Sequence, residues 1–279
     1  MVKICFVTYA TRPEPSASDA LVAAWLREQG HEVFGVPWTD APDAFSDADL
    51  LVIRSTWDYP LHPERFSAWL EAIDGRWPVA NPVELVRWNM HKRYLLDLGQ
   101  QGVRVPRSAV LESVEEVEAY FDAWSTAELV IKPLVGASGR GVVKVQPGAE
   151  LSALAAGQYL VQEFVGEIAD GELSLAFFGG RYSHAVIKHP SAGEFRINSA
   201  YGGQVSPTDP PPQAIATAEG VVASLTPDAL YARVDGVMVR GEFVLFELEL
   251  IEPSFFFVAQ PQAAQHFGRA IIQRVRQGR

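Results

Sequence analysis

The sequence predicts a mixed chain, α/β at its start and α+β afterwards, arranged as one open α/β lobe and two α+β lobes. Three observations carry this. The first third alternates short β-branched runs with helical stretches, the rhythm of βαβ units. From Leu129 onward the apolar runs are of strand length and separated by Gly-rich turns, which favours antiparallel pairing. A length of 279 residues is too great for one small core and suits two or three lobes.

In order, Lys3 to Thr8 is a β-branched strand. Ser18-Asp19 is the expected cap of a helix from Ala20 to Gln29, which Gly30 ends. Glu32 to Val36 is a second strand, and Ala48 to Ile53 a third, apolar and expected to be central and parallel. Pro63 to Ile73 is a helix, and Val79-Ala80 starts a short strand. Arg87 to Gln101 reads as one helix stopped by Gly102; Val103 to Val110 is extended through Pro106; Val114 to Trp124 is a helix with acidic residues early. Strands follow over Leu129–Pro133, Gly141–Val145, Tyr159–Val165, Leu173–Phe178 and Tyr182–Lys188. Pro207 to Pro212 reads as a loop, Ala214 to Ser224 as a helix, Tyr231–Val239 and Glu242–Ile251 as a strand pair, and Gln262 to Arg276 as a closing helix. The expected division is 1–85, an α/β domain; 86–160, an α+β subdomain with a glycine loop; and 161–279, a second α+β subdomain with a metal site.

Composition sets limits. The net charge of -11 disfavours nucleic acid and anionic membrane as partners. The single cysteine, Cys5, rules out an internal disulfide framework. There is no signal-peptide pattern and no apolar stretch near the roughly 20 residues that span a bilayer, so a cytoplasmic protein is expected.

Gly136-Ala137-Ser138-Gly139-Arg140-Gly141 is the first chemical signal, because its glycines let backbone N–H groups approach an anion. A strand follows the loop, where a P-loop or a dinucleotide fingerprint needs a helix, so the reading is a strand–loop–strand phosphate cover. Lys132, in the apolar run before the loop, needs an anion if buried, and an ATP phosphate would serve; a solvated edge lysine is the alternative. At the end of the strand leading to Val165, the backbone of Glu163, Phe164 and Val165 can read an adenine edge. Glu163, Glu167, Asp170 and Glu172 are then candidates for the ribose, with solvated turn residues as the alternative.

Glu247 and Glu249, two apart in an apolar strand, share a face. Asp235 can join them if the hairpin has an odd-numbered loop or a bulge near Arg240-Gly241-Glu242. Three carboxylates without His or Cys suit Mg2+ or Mn2+ held with phosphate oxygens. Lys188, Arg196 and Arg233 lie in apolar or Gly-rich surroundings; Arg196 suits a γ-phosphate or an acyl phosphate, Arg233 is the second catalytic candidate and Lys188 a cofactor-binding one, with a surface ion pair the competing reading for Arg196 and Lys188. The six histidines show no metal spacing. Arg54 and Asp58, at the end of the third strand, sit where open α/β sheets bind ligands and suit a substrate carboxylate and an ammonium.

The order of these features resembles the ATP-grasp superfamily, in the branch of glutathione synthetase and D-alanine–D-alanine ligase. The match runs from Asn89 and Lys92 through Lys132, the glycine loop, Gln162-Glu163-Phe164-Val165 and Gly193-Glu194-Phe195-Arg196-Ile197-Asn198 to Asp235, Glu247 and Glu249. It implies an ATP-grasp fold with a Rossmann-like N-terminal lobe and two lobes clasping ATP. It also implies Lys92 and Lys132 on ATP phosphates, Glu163 and Val165 at adenine, Arg196 at the acyl-phosphate step and Asp235, Glu247 and Glu249 on metal. Glu249 departs from the pattern, since the family commonly has Asn there. The strings Ile53-Arg54-Ser55-Thr56-Trp57-Asp58-Tyr59 and Glu249-Leu250-Ile251-Glu252-Pro253-Ser254 resemble the O-ureidoserine cyclo-ligases of cycloserine biosynthesis. The expected activity is an ADP-forming ligation of a small-molecule carboxylate to an amine, which an internal amine would turn into ring closure. A kinase without ligation and a non-catalytic nucleotide sensor are the alternatives, and the resemblance leaves a homodimer open.

Overall fold

The computed structural model describes residues 1–151, 154, 157–197 and 201–277. Three sheets carry the fold. The first is parallel, with β1 (Lys3–Thr8) between β2 (Glu32–Pro37) and β3 (Leu50–Ile53). The third strand is parallel as expected, but β1 is the central one; beyond β3, Val79 adds only a single parallel bridge to Leu51. Helix α1 (Ala17–Glu28) begins earlier than the sequence suggests. Its cap is Ser16, whose Oγ accepts from the Asp19 amide and donates to Asp19 Oδ2, while Asp19 Oδ1 accepts from Arg54. Helix α2 (Pro63–Ile73) buries Phe66, Trp69, Leu70 and Ile73.

The helix expected over 87–101 is two helices, α3 (Val83–Met90) and α4 (Tyr94–Gln100). His91 is extended between them, and the Lys92 amide donates to Leu134 O at 2.8 Å. The break places Lys92 in the central cleft, where a continuous helix would have kept it on its own surface.

The second sheet is antiparallel, in the order β4 (Ser108–Leu111), β7 (Tyr159–Glu163), β5 (Leu129–Pro133), β6 (Val143–Val145). Helix α5 (Val117–Trp124) covers one face, and Leu129 and Ile131 join Val117 and Phe121 in that core. Strand alternation then turns Val130 and Lys132 to the opposite face, where both line the cleft.

The third sheet, also antiparallel, runs β10 (Gln204–Thr208), β9 (Arg181–His189), β8 (Glu172–Phe178), β11 (Tyr231–Val239), β12 (Glu242–Glu249). Pro207, expected in a loop, lies in the edge strand β10, a position where its missing N–H is tolerated. Helix α6 (Pro212–Ala223) packs on this sheet, while α7 (Pro261–Gln277) packs against α1. Phe178, Tyr231, Phe255 and Phe267 share a core with Ile4 and Phe6, so the first and third sheets are joined. Asn81 also ties them. Its Oδ1 accepts from the Leu230 and Tyr231 amides, and its Nδ2 donates to Tyr231 O and Leu250 O.

Candidate active site

Between the second and third sheets lies a cavity of about 930 Å³. Its apolar end is formed by Val130, Phe164, Val165, Ile168 and Phe246, and Glu163 lies beside them. The loop joining β5 to β6 closes over it. Gly136, Ser138 and Gly139 line the cavity. Gly141 does not; its φ of +72° turns the chain, and a Cβ there would stand 2.9 Å from Pro133 Cγ.

Lys132 reaches this cavity and donates to Gln162 Oε1 at 2.8 Å, and among the described residues no carboxylate pairs with it. Burial lowers its ammonium to about 8; Glu247 opposes the fall and Lys92 adds to it. Lys92 pairs with Glu247, and burial, which works against its charge, is outweighed by that carboxylate, so its pKa is raised. On the third sheet, Lys188 bridges Glu172 at 2.6 Å and Asp235 at 3.2 Å. Burial pushes Glu172 up to about 7 against the pull of Lys188.

Opposite them stand the acidic strands. The turn Arg240-Gly241 is a two-residue hairpin loop with both φ positive, and by itself it would set Asp235 against Phe246. The register shifts between Asp235 and Gly236, so that Asp235 faces Glu247 and Arg233 faces Glu249. The irregularity required by the sequence therefore exists, but at Phe246 and not at the turn. It lets Phe246 pack with Val165 and Ile168 while Glu247 and Glu249 also face the cavity, and Leu245, Leu248 and Leu250 fill the other core. Ligand oxygens of Asp235, Glu247 and Glu249 lie within 4.8 Å of one another. Burial disfavours the Asp235 anion, but Arg233 and Lys188 outweigh it and hold the carboxyl well below its usual range, helped by Ser174 Oγ at 2.7 Å. Arg233 donates to Asp235 at 2.8–3.1 Å and also pairs with Glu249, which burial nonetheless pushes up to about 7.

A second cavity of about 1250 Å³ meets the first at Lys92, Lys188, Arg233, Glu247 and Glu249. Trp57, Tyr59, Met90, Ile251, Glu252 and Phe256 also line it.

Two family models match the chain: the N-terminal domain of D-cycloserine synthetase DcsG over residues 4–81, and the ATP-grasp domain of prokaryotic glutathione synthetase over residues 97–254. The chain belongs to the ATP-grasp family. It is an ATP-dependent ligase by that membership. The cycloserine biosynthesis protein DcsG of Streptomyces lavendulae is 30% identical over 261 residues, 86% of this chain and 87% of the relative. A crystal structure of D-cycloserine synthetase DcsG superposes with a TM-score of 0.86 at 26% identity, covering 98% of this chain and 99% of that one. The ATP-grasp ligase PsnB, in a complex with a precursor variant, Mg and ADP, shares the fold at a TM-score of 0.70 and 14% identity, over 97% of this chain and 98% of that one.

The cavity fits the groups that an ATP-grasp ligase uses. Lys132, half-buried without a carboxylate partner, suits a phosphate, and the cluster of three carboxylate oxygens is a hard donor set suited to magnesium. Arg196 also lines the cavity, held by Glu194 at 2.6 and 3.1 Å and lying 3.6 Å over the Tyr201 ring. Asn198, next in that string, lies outside the described residues.

Three expectations about this site are corrected by geometry. Glu163 does not offer its carboxylate to ribose, because Arg107 holds both oxygens at 2.7 and 2.8 Å; Glu172, unlike Glu167 and Asp170, lines the ATP-grasp cavity. Arg54 lines neither cavity: it is 2% exposed, bonded to Asp19 at 2.8 Å and Pro253 O at 2.8 Å, and enclosed by Tyr231, Phe255 and Phe267. Asp58 lines neither as well; its Oδ1 accepts from Trp38 Nε1 at 2.7 Å. Arg54 is held against Pro253 and Phe255, and Asp58 is held by Trp38, so both serve packing. Sequence reasoning gave no role to Glu252, Glu194 or Tyr201. Each is distant in sequence from the residues it meets in the clefts, or is polar in a segment without regular period.

No helix among the described residues is long and apolar enough to cross a membrane.

Proposed function

We propose that this chain activates the carboxylate of an amino-acid-like substrate as an acyl phosphate, from which a nitrogen nucleophile displaces phosphate. The observation that carries this is the meeting of the two cavities at Arg233, Lys188 and the acidic strand pair. A nucleotide in the first cavity would bring its terminal phosphate to that junction, and a substrate in the second would bring its carboxylate to the same place.

In this reading Lys132 and Lys92 hold phosphate charge, and the amides of Gly136, Ser138 and Gly139 close over it. The backbone of Glu163, Phe164 and Val165 reads the adenine, and Glu172 the ribose. Asp235, Glu247 and Glu249 hold magnesium, which when bound offsets phosphate charge. Arg233 and Lys188, now neutralised by these carboxylates, keep them ionised and aligned. Arg196, stacked on Tyr201 beside the glycine loop, stabilises charge as phosphoryl transfer proceeds. The carboxylate oxygen forms a bond to the γ-phosphorus as the bond to ADP breaks. The nitrogen then attacks the acyl carbon, and phosphate leaves with the former carboxylate oxygen. Closure of the glycine loop excludes water, which would otherwise hydrolyse the intermediate.

The similarity to DcsG along most of both chains supports a nitrogen within the same molecule, closing a ring. ADP release over a panel of amino acids and their O-ureido and hydroxamate-like derivatives tests this, with mass analysis of products. Ring closure gives a product lighter than its single substrate by one water. A joined product of two substrates would retain the ligase and remove the ring. A phosphorylated product resistant to hydroxylamine would replace ligation by simple phosphoryl transfer.

A further inference from the structure

The second cavity is lined by a carboxylate that no cation of the described residues pairs with. Glu247 is paired with Lys92 and Glu249 with Arg233, and Lys188 is engaged by Glu172 and Asp235. Glu252 lines the same cavity, is only 9% exposed, and has no such partner. A buried anion of this kind is costly unless a cation joins it. Burial, with Glu249 and Glu247 nearby, pushes its carboxyl up to about 8.

The walls around Glu252 are aromatic. Trp57 Nε1 donates to the Glu252 carbonyl at 3.3 Å, which fixes that ring beside it. Trp57 is backed by Tyr9 at 6.0 Å, and Tyr59 is packed on Phe66 at 4.8 Å. Both Trp57 and Tyr59 line the cavity. Ring faces beside a carboxylate attract a cation and repel a second anion. Arg233 and Lys188 stand where this cavity meets the first, and Arg233 reaches the loop that carries Glu252, donating to Ser254 O at 3.0 Å. The cations of this cavity, Lys92, Lys188 and Arg233, are each paired with a carboxylate, and Glu252 is the lining carboxylate that none of them pairs with.

We propose that Glu252, with Trp57 and Tyr59, forms an ammonium subsite that makes the enzyme select carboxylates bearing a free cationic amine. The substrate lies with its carboxylate toward Arg233 and its ammonium against Glu252. This deepens the ligase reading and rests on it. It also moves the ammonium contact from Asp58, which Trp38 occupies, to a residue six positions before Val258 on the loop after β12.

The test uses paired carboxylates, each amino acid beside its desamino acid, with O-ureidoserine and its desamino counterpart among them. ADP release is followed at saturating ATP and magnesium. The amino member of any active pair is expected to have a kcat/KM at least about tenfold higher, mainly through KM. Glu252→Gln is expected to bring the two members within about twofold and to leave the KM for ATP unchanged. Desamino acids turned over by the wild type as readily as their partners would overturn the subsite and leave the ligase standing. So would a preference that survives Glu252→Gln. If no carboxylate stimulates ADP release, the ligase reading fails. The same pairs titrated calorimetrically onto protein loaded with magnesium and a non-hydrolysable ATP analogue then decide the subsite: binding of the ammonium form alone, lost in Glu252→Gln, supports it, and equal or absent binding overturns it.

Discussion

Asp235 and Glu247 face each other across two antiparallel strands because Phe246 is left over between their registers. A single extra residue thus lets Phe246 stay in the apolar end of the cavity while Glu247 and Glu249 face the same cavity. Glu247 then meets Lys92 from the break between α3 and α4, as well as its two acidic neighbours. Removing its side chain opens the donor cluster and leaves Lys92 without its partner. Glu247→Ala is expected to lower kcat for ADP release by about a hundredfold or more and to raise the magnesium concentration for half-maximal rate. Steady-state assays over a magnesium series check both.

Burial depresses the ammonium of Lys132 to about 8. At pH 8 about half of it is neutral and nucleophilic, against roughly one percent or less of a lysine with pKa 10.4. It is expected to be labelled by acetic anhydride ahead of the exposed lysines, with ATP protecting it. Peptide mass mapping with and without ATP reads this. Lys132→Met is expected to weaken ATP binding by about tenfold or more, by removing a charge-assisted phosphate contact.

Glu252 supplies a pH dependence of stability. Its folded pKa, about 8, lies above the ordinary value near 4.3, so between these limits the folded state binds the extra proton. Stability from this group is therefore full at low pH and is lost as pH rises through about 8. Glu252→Gln resembles the protonated acid at every pH. Its stability advantage over wild type is expected to be present already at pH 6, because the unfolded carboxyl ionises from about 4.3, and to grow by a further amount on the order of 2 kcal/mol by pH 9. Thermal scans of ligand-free protein at the two pH values measure the difference.

Asn81 is fully buried and makes four hydrogen bonds to the backbone of the loop before β11, of β11 and of the end of β12. Asn81→Ala strands those buried groups and is expected to destabilise the protein by about 2–4 kcal/mol. Denaturant titration gives the value; a change within error would show that the first and third sheets are held by their shared core alone.

Much of this was legible because strand alternation and glycine loops act locally. The run before Lys132, the loop after it and the pair Glu247 and Glu249 need only period and composition to be seen. Phe246 was not legible as the bulge, since a surplus residue is defined by its partner strand. The break at His91 was hidden because Asn89 and Lys92 serve β12 and the cleft, and tertiary bonds there override helix propensity. Arg54 and Asp58 misled for a related reason. They stand at the end of a strand that binds ligands in many open sheets, but here residues 253–257 and Trp38 close over them. Glu252 escaped notice because its meaning lies in what fails to pair with it, a property of three dimensions.

The central step of the proposed reaction is transfer of a carboxylate oxygen to phosphate. The most direct measurement uses a substrate from the panel with its carboxylate labelled with oxygen-18, and mass analysis of the phosphate released by the wild-type enzyme. One labelled oxygen per phosphate, with label absent when the carboxylate is omitted, is the predicted result. Phosphate that carries no label while product forms would contradict an acyl phosphate and the function built on it.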